Sequence, residues 1–209
     1  MHETLPRELQ VSEVLRTLAV HDHLCLIYET PRQLLDSAVP FFLIGLDRGE
    51  KCLYVADENT ISALLDGVQA EGIDVDAVAE KGLLTVANKE QTYLRKGYFD
   101  PDEMIHYWAG KVEEAKARGF SALRFAAEAS WALGGDPGTE RLIEYEARLN
   151  LFLTNYDAVC ICQYNSKRFS PKVILQILRT HPLVSMAAMS ARTHTTSLPR
   201  NFSSPTKMS

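Results

Sequence analysis

Short apolar runs alternate with amphipathic stretches along most of the chain. Segments such as LCLIY at 24–28 and CLYVA at 52–56 are almost continuously apolar, which predicts strands. The stretches between them repeat apolar residues every three or four positions, which predicts helices. Alternating strands and helices form βαβ units, and continuous apolar strands fit a sheet that is buried on both faces. The pattern therefore predicts an α/β fold, a three-layer sandwich around a mostly parallel sheet.

The same pattern gives bounds for each element. Helices are expected at 7–19, 32–47, 59–71, 74–81, 102–118, 138–156 and 171–180. Strands are expected at 24–28, 52–56, 83–87, 122–127, 158–164 and 184–189. The first helix carries an apolar stripe of Val11, Val14, Leu15 and Leu18, which would pack either on the main domain or on a partner.

The composition changes after residue 190. Ser, Thr and Pro prevail there without apolar periodicity, which predicts a flexible tail or a linker. The chain is therefore divided into an N-terminal helix at 1–20, a main domain at 21–190 and a flexible tail at 191–209.

Charge and hydropathy exclude several classes of function. The net charge of −5 provides no basic footprint, so direct binding of nucleic acid is not expected. No apolar run approaches the roughly 20 residues that a bilayer span requires, so no membrane contact is expected. The polar N-terminus does not resemble a secretion signal. We therefore expect a cytoplasmic protein, whose cysteines at 25, 52, 160 and 162 are buried, reduced thiols.

A nucleotide site is not expected where the first strand meets the next helix. A P-loop needs glycines, whose backbone N–H groups approach phosphates, and a lysine that meets their charge. The stretch YETPR at 28–32 supplies neither, and its proline removes one N–H. The sequence thus predicts a fold without a Walker A loop, for which ATP hydrolysis and a nucleotide cofactor are not expected.

Ligands of parallel sheets collect at the carboxyl ends of the strands. Acids, aromatics and amides occupy these ends, without Lys or Arg: Tyr28 and Glu29, Asp57 and Glu58, residues 128–131, and residues 163–165. Such a set suits a neutral or cationic ligand better than a phosphate. Glu128 has two interpretations: with Trp131 it faces an organic ligand, or it caps or pairs locally.

Glu146 lies on an apolar helical stripe with Leu142, Leu149 and Leu153. A carboxylate there is costly to bury unless it is paired. Arg124, inside an apolar strand, is the expected partner in a structural pair. The alternative is that one of the two residues contacts a ligand.

His21, His23 and Cys25 alternate along one predicted strand, so their side chains would share a face. Imidazole and thiolate suit zinc or copper, and a neighbouring strand could add Cys160 or Cys162. No local motif supplies a fourth ligand, so a core cysteine beside a hydrogen-bonded histidine is preferred and no metal is expected. Five residue steps, roughly 16 Å, separate His23 from Tyr28, so one small ligand cannot contact both along a straight strand. Either one of the two is structural, or the strand begins after His23 and the chain bends there.

Several motifs in order resemble the MEDS family, the methanogen/methylotroph, DcmR sensory domain, from about residue 20 to 190. They are HLCLIYE (23–29), FFLIGLDRGEKCLYVAD (41–57), YLRKGYFDPDEMI (93–105), LRFAAEASWAL (123–133), YEARLN (145–150), CQYNSKRF (162–169) and THP (180–182). The middle block is also similar to KaiC-type, RecA-like ATPases. The resemblance implies a RecA-like fold whose phosphate loop has been replaced.

The resemblance also implies a function and a set of site residues. MEDS domains are regarded as prokaryotic signal-input modules that sense small hydrocarbon derivatives. The family's motif marks His23, Tyr28, Glu128, Trp131, Glu146, Cys162, Gln163, Tyr164 and His181 as ligand-binding residues. We expect output through a partner protein, a histidine kinase or a transcription regulator, or through a fusion that this chain does not contain, because the sensor uses the whole length.

Three functions follow, and the first is preferred. The chain is a non-enzymatic sensor of a small organic ligand, or it is a ligand-free interaction module that associates through the N-terminal stripe with a partner or as a homodimer. The third function is a residual hydrolase with Glu128 as general base. No phosphate cradle or activated nucleophile accompanies Glu128, so catalysis is not expected.

Overall fold

The computed structural model describes residues 11–187, and the fold is given for that part of the chain. Its helices are α1 (Val11–Thr17), α2 (Pro31–Asp47), α3 (Glu58–Ala70), α4 (Val75–Glu80), α5 (Pro101–Ala117), α6 (Leu142–Asn155) and α7 (Pro171–Thr180). Its strands are β1 (His23–Tyr28), β2 (Lys51–Val55), β3 (Leu84–Ala87), β4 (Leu123–Glu128), β5 (Ala158–Asn165) and β6 (Leu183–Met186). Two 3₁₀ turns, Ala129–Leu133 and Thr139–Arg141, lie between β4 and α6.

The strands form one sheet in the order β3-β2-β4-β5-β1-β6. Each of the pairings seen in the described residues is parallel. The strands are buried on both faces except at the edges, as their continuous apolar sequences predict. The carboxyl ends of all these strands therefore lie along one edge of the sheet.

Helices cover both faces of the sheet. On one face, α1, α2 and α3 pack over a core that includes Phe41, Phe42 and Leu64. On the other face, α5, α6 and α7 pack over a core that includes Trp108 and Leu149. The predicted three-layer α/β sandwich is confirmed.

The apolar stripe of the first helix packs on the main domain. Leu15 and Leu18 are buried in the core beside α2, and Val14 is half-buried. The burial of these two leucines leaves them unavailable to a partner. The side chain of Val11 lies outside the described residues.

The predicted bounds differ from the observed ones mainly at the ends of elements. The segment predicted as one helix at 138–156 is divided in the structure. Gly138 has a positive φ, Thr139–Arg141 form a 3₁₀ turn, and the α-helix runs over Leu142–Asn155. The last strand ends at Met186 rather than at residue 189. Residues 1–10 and the tail predicted at 191–209 lie outside the described residues. Among the helices described, none is both long enough and apolar enough to cross a membrane.

Candidate functional site

The β1–α2 junction is closed by a capping box. The Thr30 side chain accepts a hydrogen bond from the Gln33 backbone N–H. The Gln33 side-chain oxygen accepts hydrogen bonds from the backbone N–H groups of Glu29, at 2.8 Å, and Thr30, at 3.1 Å. A Gln side chain therefore takes the N–H groups that a P-loop would present to a phosphate.

A cavity of about 470 Å³ opens at the carboxyl edge of the sheet, beside the ends of β2 and β4. Its polar wall contains Asp57 and Glu58 at the start of α3, and Glu128 at the end of β4. Trp131 and Leu133, from the 3₁₀ turn after β4, add apolar surface. The volume falls in the range typical of small-molecule sites.

Glu128 is fixed in place by two neighbours while it lines this cavity. Tyr28 donates its hydroxyl hydrogen to Oε1 at 2.6 Å. Ser130 donates to Oε2 from its backbone N–H at 3.0 Å and also from its hydroxyl. Burial raises the pKa of Tyr28, so the phenol keeps the hydrogen that it donates. Glu128 thus caps and pairs locally, and it also faces the cavity.

Trp131 is held by other aromatic side chains. Its ring stacks on Tyr93 at 4.2 Å between centroids, with the planes nearly parallel. Phe99 contacts it at 4.5 Å. The indole is almost fully buried, so Trp131 supports the wall of the cavity as much as it offers contact area.

Two cations in the cavity wall were not predicted. Lys89 lies in the loop after β3 and Arg168 in the turn after β5, each a few residues beyond a predicted strand end. Lys89 is 3.8 Å from Glu90 and 3.7 Å from Asp136, so carboxylates partly neutralise it. The rule that ligands bind at the carboxyl ends of strands identifies only residues at those ends. Which loop residues also line the cavity depends on the conformation of the loops.

Gln163 lies away from the cavity, in the layer covered by α2. Tyr54 donates its hydroxyl hydrogen to the Gln163 side-chain oxygen at 3.2 Å. The Gln163 amide nitrogen donates to the Ser37 hydroxyl at 3.3 Å. The side chain is fully buried and makes these contacts inside the core.

A second polar cluster is buried between the sheet and the helices α6 and α7. His23 comes from β1, Cys162 from β5, Glu146 from α6, and His181 from the residue that ends α7. One ligand atom from each lies within 4.8 Å of the other three. We call this group the His-Glu-Cys-His cluster.

Glu146 is the centre of the His-Glu-Cys-His cluster. Its Oε2 lies 3.4 Å from His23 Nε2 and 3.2 Å from His181 Nε2. Its Oε1 accepts a hydrogen bond from the Tyr164 hydroxyl. The Cys162 sulfur lies 3.3 Å from His23 Nε2.

Neighbouring groups fix the orientation of both imidazoles. His23 Nδ1 lies 2.7 Å from the Asn150 side-chain oxygen, and the Asn150 amide nitrogen donates to the Thr180 carbonyl at 2.7 Å. His181 Nδ1 lies 2.9 Å from the Ile177 carbonyl oxygen. Both Nδ1 atoms face acceptors and therefore carry hydrogen, so both Nε2 atoms point into the cluster.

The charges in the cluster perturb one another. Burial acts to lower the pKa of His23, but contacts with Cys162 and Glu146 raise it to about 10. Burial also acts to lower the pKa of His181, but contacts with Cys162 and Glu146 raise it to about 9. Burial acts to raise the pKa of Glu146, but His181 and His23 lower it well below its usual range. Glu146 is therefore a carboxylate that needs positive charge beside it.

The predicted pair of Arg124 with Glu146 is wrong. Alternate residues of a strand point to opposite faces, and Arg124 points towards α2 while Glu146 lies on α6, on the other side of the sheet. Arg124 instead pairs with Glu50. The sequence shows that both residues are buried, but the helix arrangement determines which face each occupies.

The predicted alternation of His21, His23 and Cys25 is wrong for His21, because β1 begins at His23, whereas His23 and Cys25 do alternate along β1. His21 precedes it in a left-handed turn with φ of 80° and contacts the Leu153 carbonyl oxygen at 2.7 Å. Cys162, considered as an added ligand, does reach His23. His23 and Tyr28 belong to two different polar groups, as the spacing along the strand predicts.

The profile of one protein family, the methanogen/methylotroph, DcmR sensory domain, matches residues 22–182. The chain belongs to this MEDS family. All nine residues marked by the family's motif fall inside the matched part of this MEDS domain.

This MEDS domain is similar to a transcriptional repressor in sequence and to a KaiC-like protein in fold. It is 28% identical over 165 residues to the "Transcriptional repressor DcmR" of Methylorubrum extorquens (strain DSM 6343 / CIP 106787 / DM4). That match covers 78% of this chain and 59% of the relative, so the chain spans less than two thirds of the repressor's length. A crystal structure of a KaiC-like protein from Pyrococcus horikoshii OT3 aligns with a TM-score of 0.56, at 18% identity, over 79% of this chain and 70% of that one. This likeness confirms the RecA-like fold.

Proposed function

We propose that this MEDS domain is a non-enzymatic signal-input module that binds a small organic molecule in the strand-end cavity and signals through a partner protein. The observation that carries the proposal is the cavity of about 470 Å³ at the carboxyl edge of the parallel sheet. Ligands of open α/β sheets collect at this edge. The junction that would hold a phosphate is closed by the Thr30–Gln33 capping box, so a different ligand class is favoured.

The wall of the cavity suits a neutral or cationic molecule. The wall contains four carboxylates and two cations. One of these cations, Lys89, already lies near the carboxylates of Glu90 and Asp136. Trp131 and Leu133 provide apolar surface beside the acids. A triphosphate would meet repulsion from the carboxylates, whereas a small hydrocarbon derivative would find apolar contact and hydrogen-bond acceptors.

The contacts of Glu128 support binding rather than catalysis. Each carboxylate oxygen has two lone pairs, so every hydrogen bond that it already accepts leaves less capacity for taking a proton from a substrate. Both carboxylate oxygens of Glu128 already accept hydrogen bonds, from Tyr28 and from Ser130. These contacts hold the carboxylate as a fixed acceptor in the cavity wall.

Signalling requires that the ligand binds one conformation of the module better than another. The wall of the cavity is assembled from the start of α3, the loop after β3, the turn after β4 and Arg168 before α7. A ligand that contacts several of these segments would favour one arrangement of them. Because the matched relative is a transcriptional repressor, a transcription regulator is the partner class that we favour over a histidine kinase.

The first test is ligand-observed NMR on the full chain with a panel of short alcohols, ketones and alkylamines, and with ATP as the counter-probe. We expect members of the panel to bind and ATP not to bind. Leu133→Ala should weaken the best probe about fivefold to tenfold, because it removes apolar contact worth about 1 kcal/mol or slightly more.

Leu151→Ala is the matched control, because Leu151 is also an exposed leucine but lies on α6 outside the cavity wall. It should leave the affinity unchanged. A panel without any binder, tight ATP binding, or equal weakening by both substitutions would contradict the proposal.

A further inference from the structure

We propose that the His-Glu-Cys-His cluster is a closed binding site for one divalent first-row transition metal ion, with zinc as the best fit. His23 Nε2, His181 Nε2, Cys162 Sγ and Glu146 Oε2 would be the four ligands. The site is separate from the strand-end cavity, since none of the four residues lines that cavity. The inference therefore stands independently of the proposed sensory ligand.

The distances between the ligand atoms fit a tetrahedron. Zinc bonds of about 2.0–2.3 Å place tetrahedral ligand atoms roughly 3.3–3.8 Å apart. His23 Nε2 lies 3.3 Å from the Cys162 sulfur and 3.4 Å from Glu146 Oε2, and His181 Nε2 lies 3.2 Å from the same oxygen. All the separations are within 4.8 Å, so small side-chain shifts would complete the site.

The ligand atoms are oriented so that their lone pairs face one another, an arrangement that a cation between them would stabilise. Both Nδ1 atoms carry hydrogen towards Asn150 and Ile177, so in neutral imidazoles both Nε2 lone pairs face Glu146. Among the described residues, Glu146 Oε2 and His181 Nε2 are buried atoms for which no hydrogen-bond partner is found. Buried acceptors that face one another are costly unless a proton or a metal ion lies between them.

The surrounding hydrogen bonds are those of a metal site. Metal-bound histidines normally donate their second N–H to a carbonyl or carboxylate, which fixes the ring and raises its basicity. His23 and His181 both do so here, and Tyr164 holds the second oxygen of Glu146. Imidazole and thiolate together select zinc, cobalt, iron or copper over magnesium and calcium.

A bound ion would join four segments of the fold. His181 ends α7 and precedes the edge strand β6, while the other ligands come from β1, β5 and α6. Four protein ligands fill a tetrahedral coordination sphere, which is typical of structural rather than catalytic zinc. The ion would therefore fasten the α7–β6 end of the domain to the centre of the sheet.

The test is the metal content of the full chain, purified without a polyhistidine tag or chelator and measured by inductively coupled plasma mass spectrometry. We expect about one equivalent of a divalent transition metal per chain. Cobalt(II) added to stripped protein should give the intense visible bands of a tetrahedral site and a sulfur-to-cobalt charge-transfer band. Less than about a tenth of an equivalent, without these cobalt bands, would overturn the proposal.

A pair of serine substitutions tests the assignment of the ligands. Cys162→Ser should reduce the bound metal at least tenfold and remove the charge-transfer band, because the thiolate is lost. Cys160→Ser is the matched control: it lies two residues away on the same strand, equally buried, and outside the ligand set. Equal metal content in the two variants would overturn the assignment, and the measurements on the unaltered chain stand if Cys162→Ser fails to fold.

Discussion

Replacing Glu146 by glutamine is expected to lower the free energy of unfolding by about 3–5 kcal/mol, the cost of breaking a buried charge group by removing one partner. Glu146 is 2% exposed and contacts His23, His181 and Tyr164. Glutamine has nearly the same shape, so packing is preserved and the charge is what changes. The positive charge beside it, on the imidazoles or on a bound metal, then loses the carboxylate that balances it.

Chemical denaturation of the full chain measures this effect, and Glu144→Gln provides the control. Glu144 lies on the same helix but is 40% exposed, and it pairs with Arg141 and Arg148 at the surface. Solvent screens such pairs, so this variant should unfold close to the unaltered protein. A loss of less than about 1 kcal/mol for Glu146→Gln would show that the His-Glu-Cys-His cluster does not depend on the carboxylate.

The sequence predicts the layers of the fold well because apolar runs and helical periodicity are local properties. Each strand and helix of the described residues overlaps a predicted one, and the sheet is parallel as the βαβ pattern requires. The predicted ends of elements are wrong where a local turn sets the actual end, as at Gly138 before α6. The left-handed conformation of His21 is a second case, because nothing in the residue type demands it.

The candidate sites could be predicted in part. Glu146 is recognisable as a costly residue on an apolar stripe, but its partners lie 123 residues before it, 35 after it and 16 after it, at His23, His181 and Cys162. Spacing carries no information on such contacts. The resemblance to MEDS domains did mark all four residues, but it did not separate them from Glu128, which lines the cavity, or from Tyr28, which is hydrogen-bonded to Glu128.

Two adjacent strands connect the polar groups of the molecule. β1 carries His23 at its start and Tyr28 at its end, and β5 beside it carries Cys162 and Tyr164. One end of β1 therefore enters the His-Glu-Cys-His cluster and the other reaches the wall of the cavity through Glu128. A rigid β1 held at its start would fix the position of the Tyr28–Glu128 hydrogen bond.

The buried pair of Arg124 and Glu50 gives the second large expected effect. Glu50→Gln should lower the free energy of unfolding by about 3–5 kcal/mol, because it leaves the Arg124 cation buried without a counterion. Arg124 is 0% exposed, its guanidinium lies 4.4 Å from the centre of the Phe41 ring, and no hydrogen-bond partner is found for its Nη1 and Nη2 in the part of the chain described. The cation therefore depends on Glu50.

A double-mutant cycle separates the charge from the packing. Adding Arg124→Met to Glu50→Gln removes the unbalanced cation, and the methionine keeps an apolar stem against Phe41 and Gly45. We expect the double variant to recover at least about 2 kcal/mol of the loss seen in Glu50→Gln, because buried ion pairs add little over apolar replacements. If the two substitutions instead destabilise additively in urea denaturation, Arg124 contributes through its packing, and its charge is balanced by something other than Glu50.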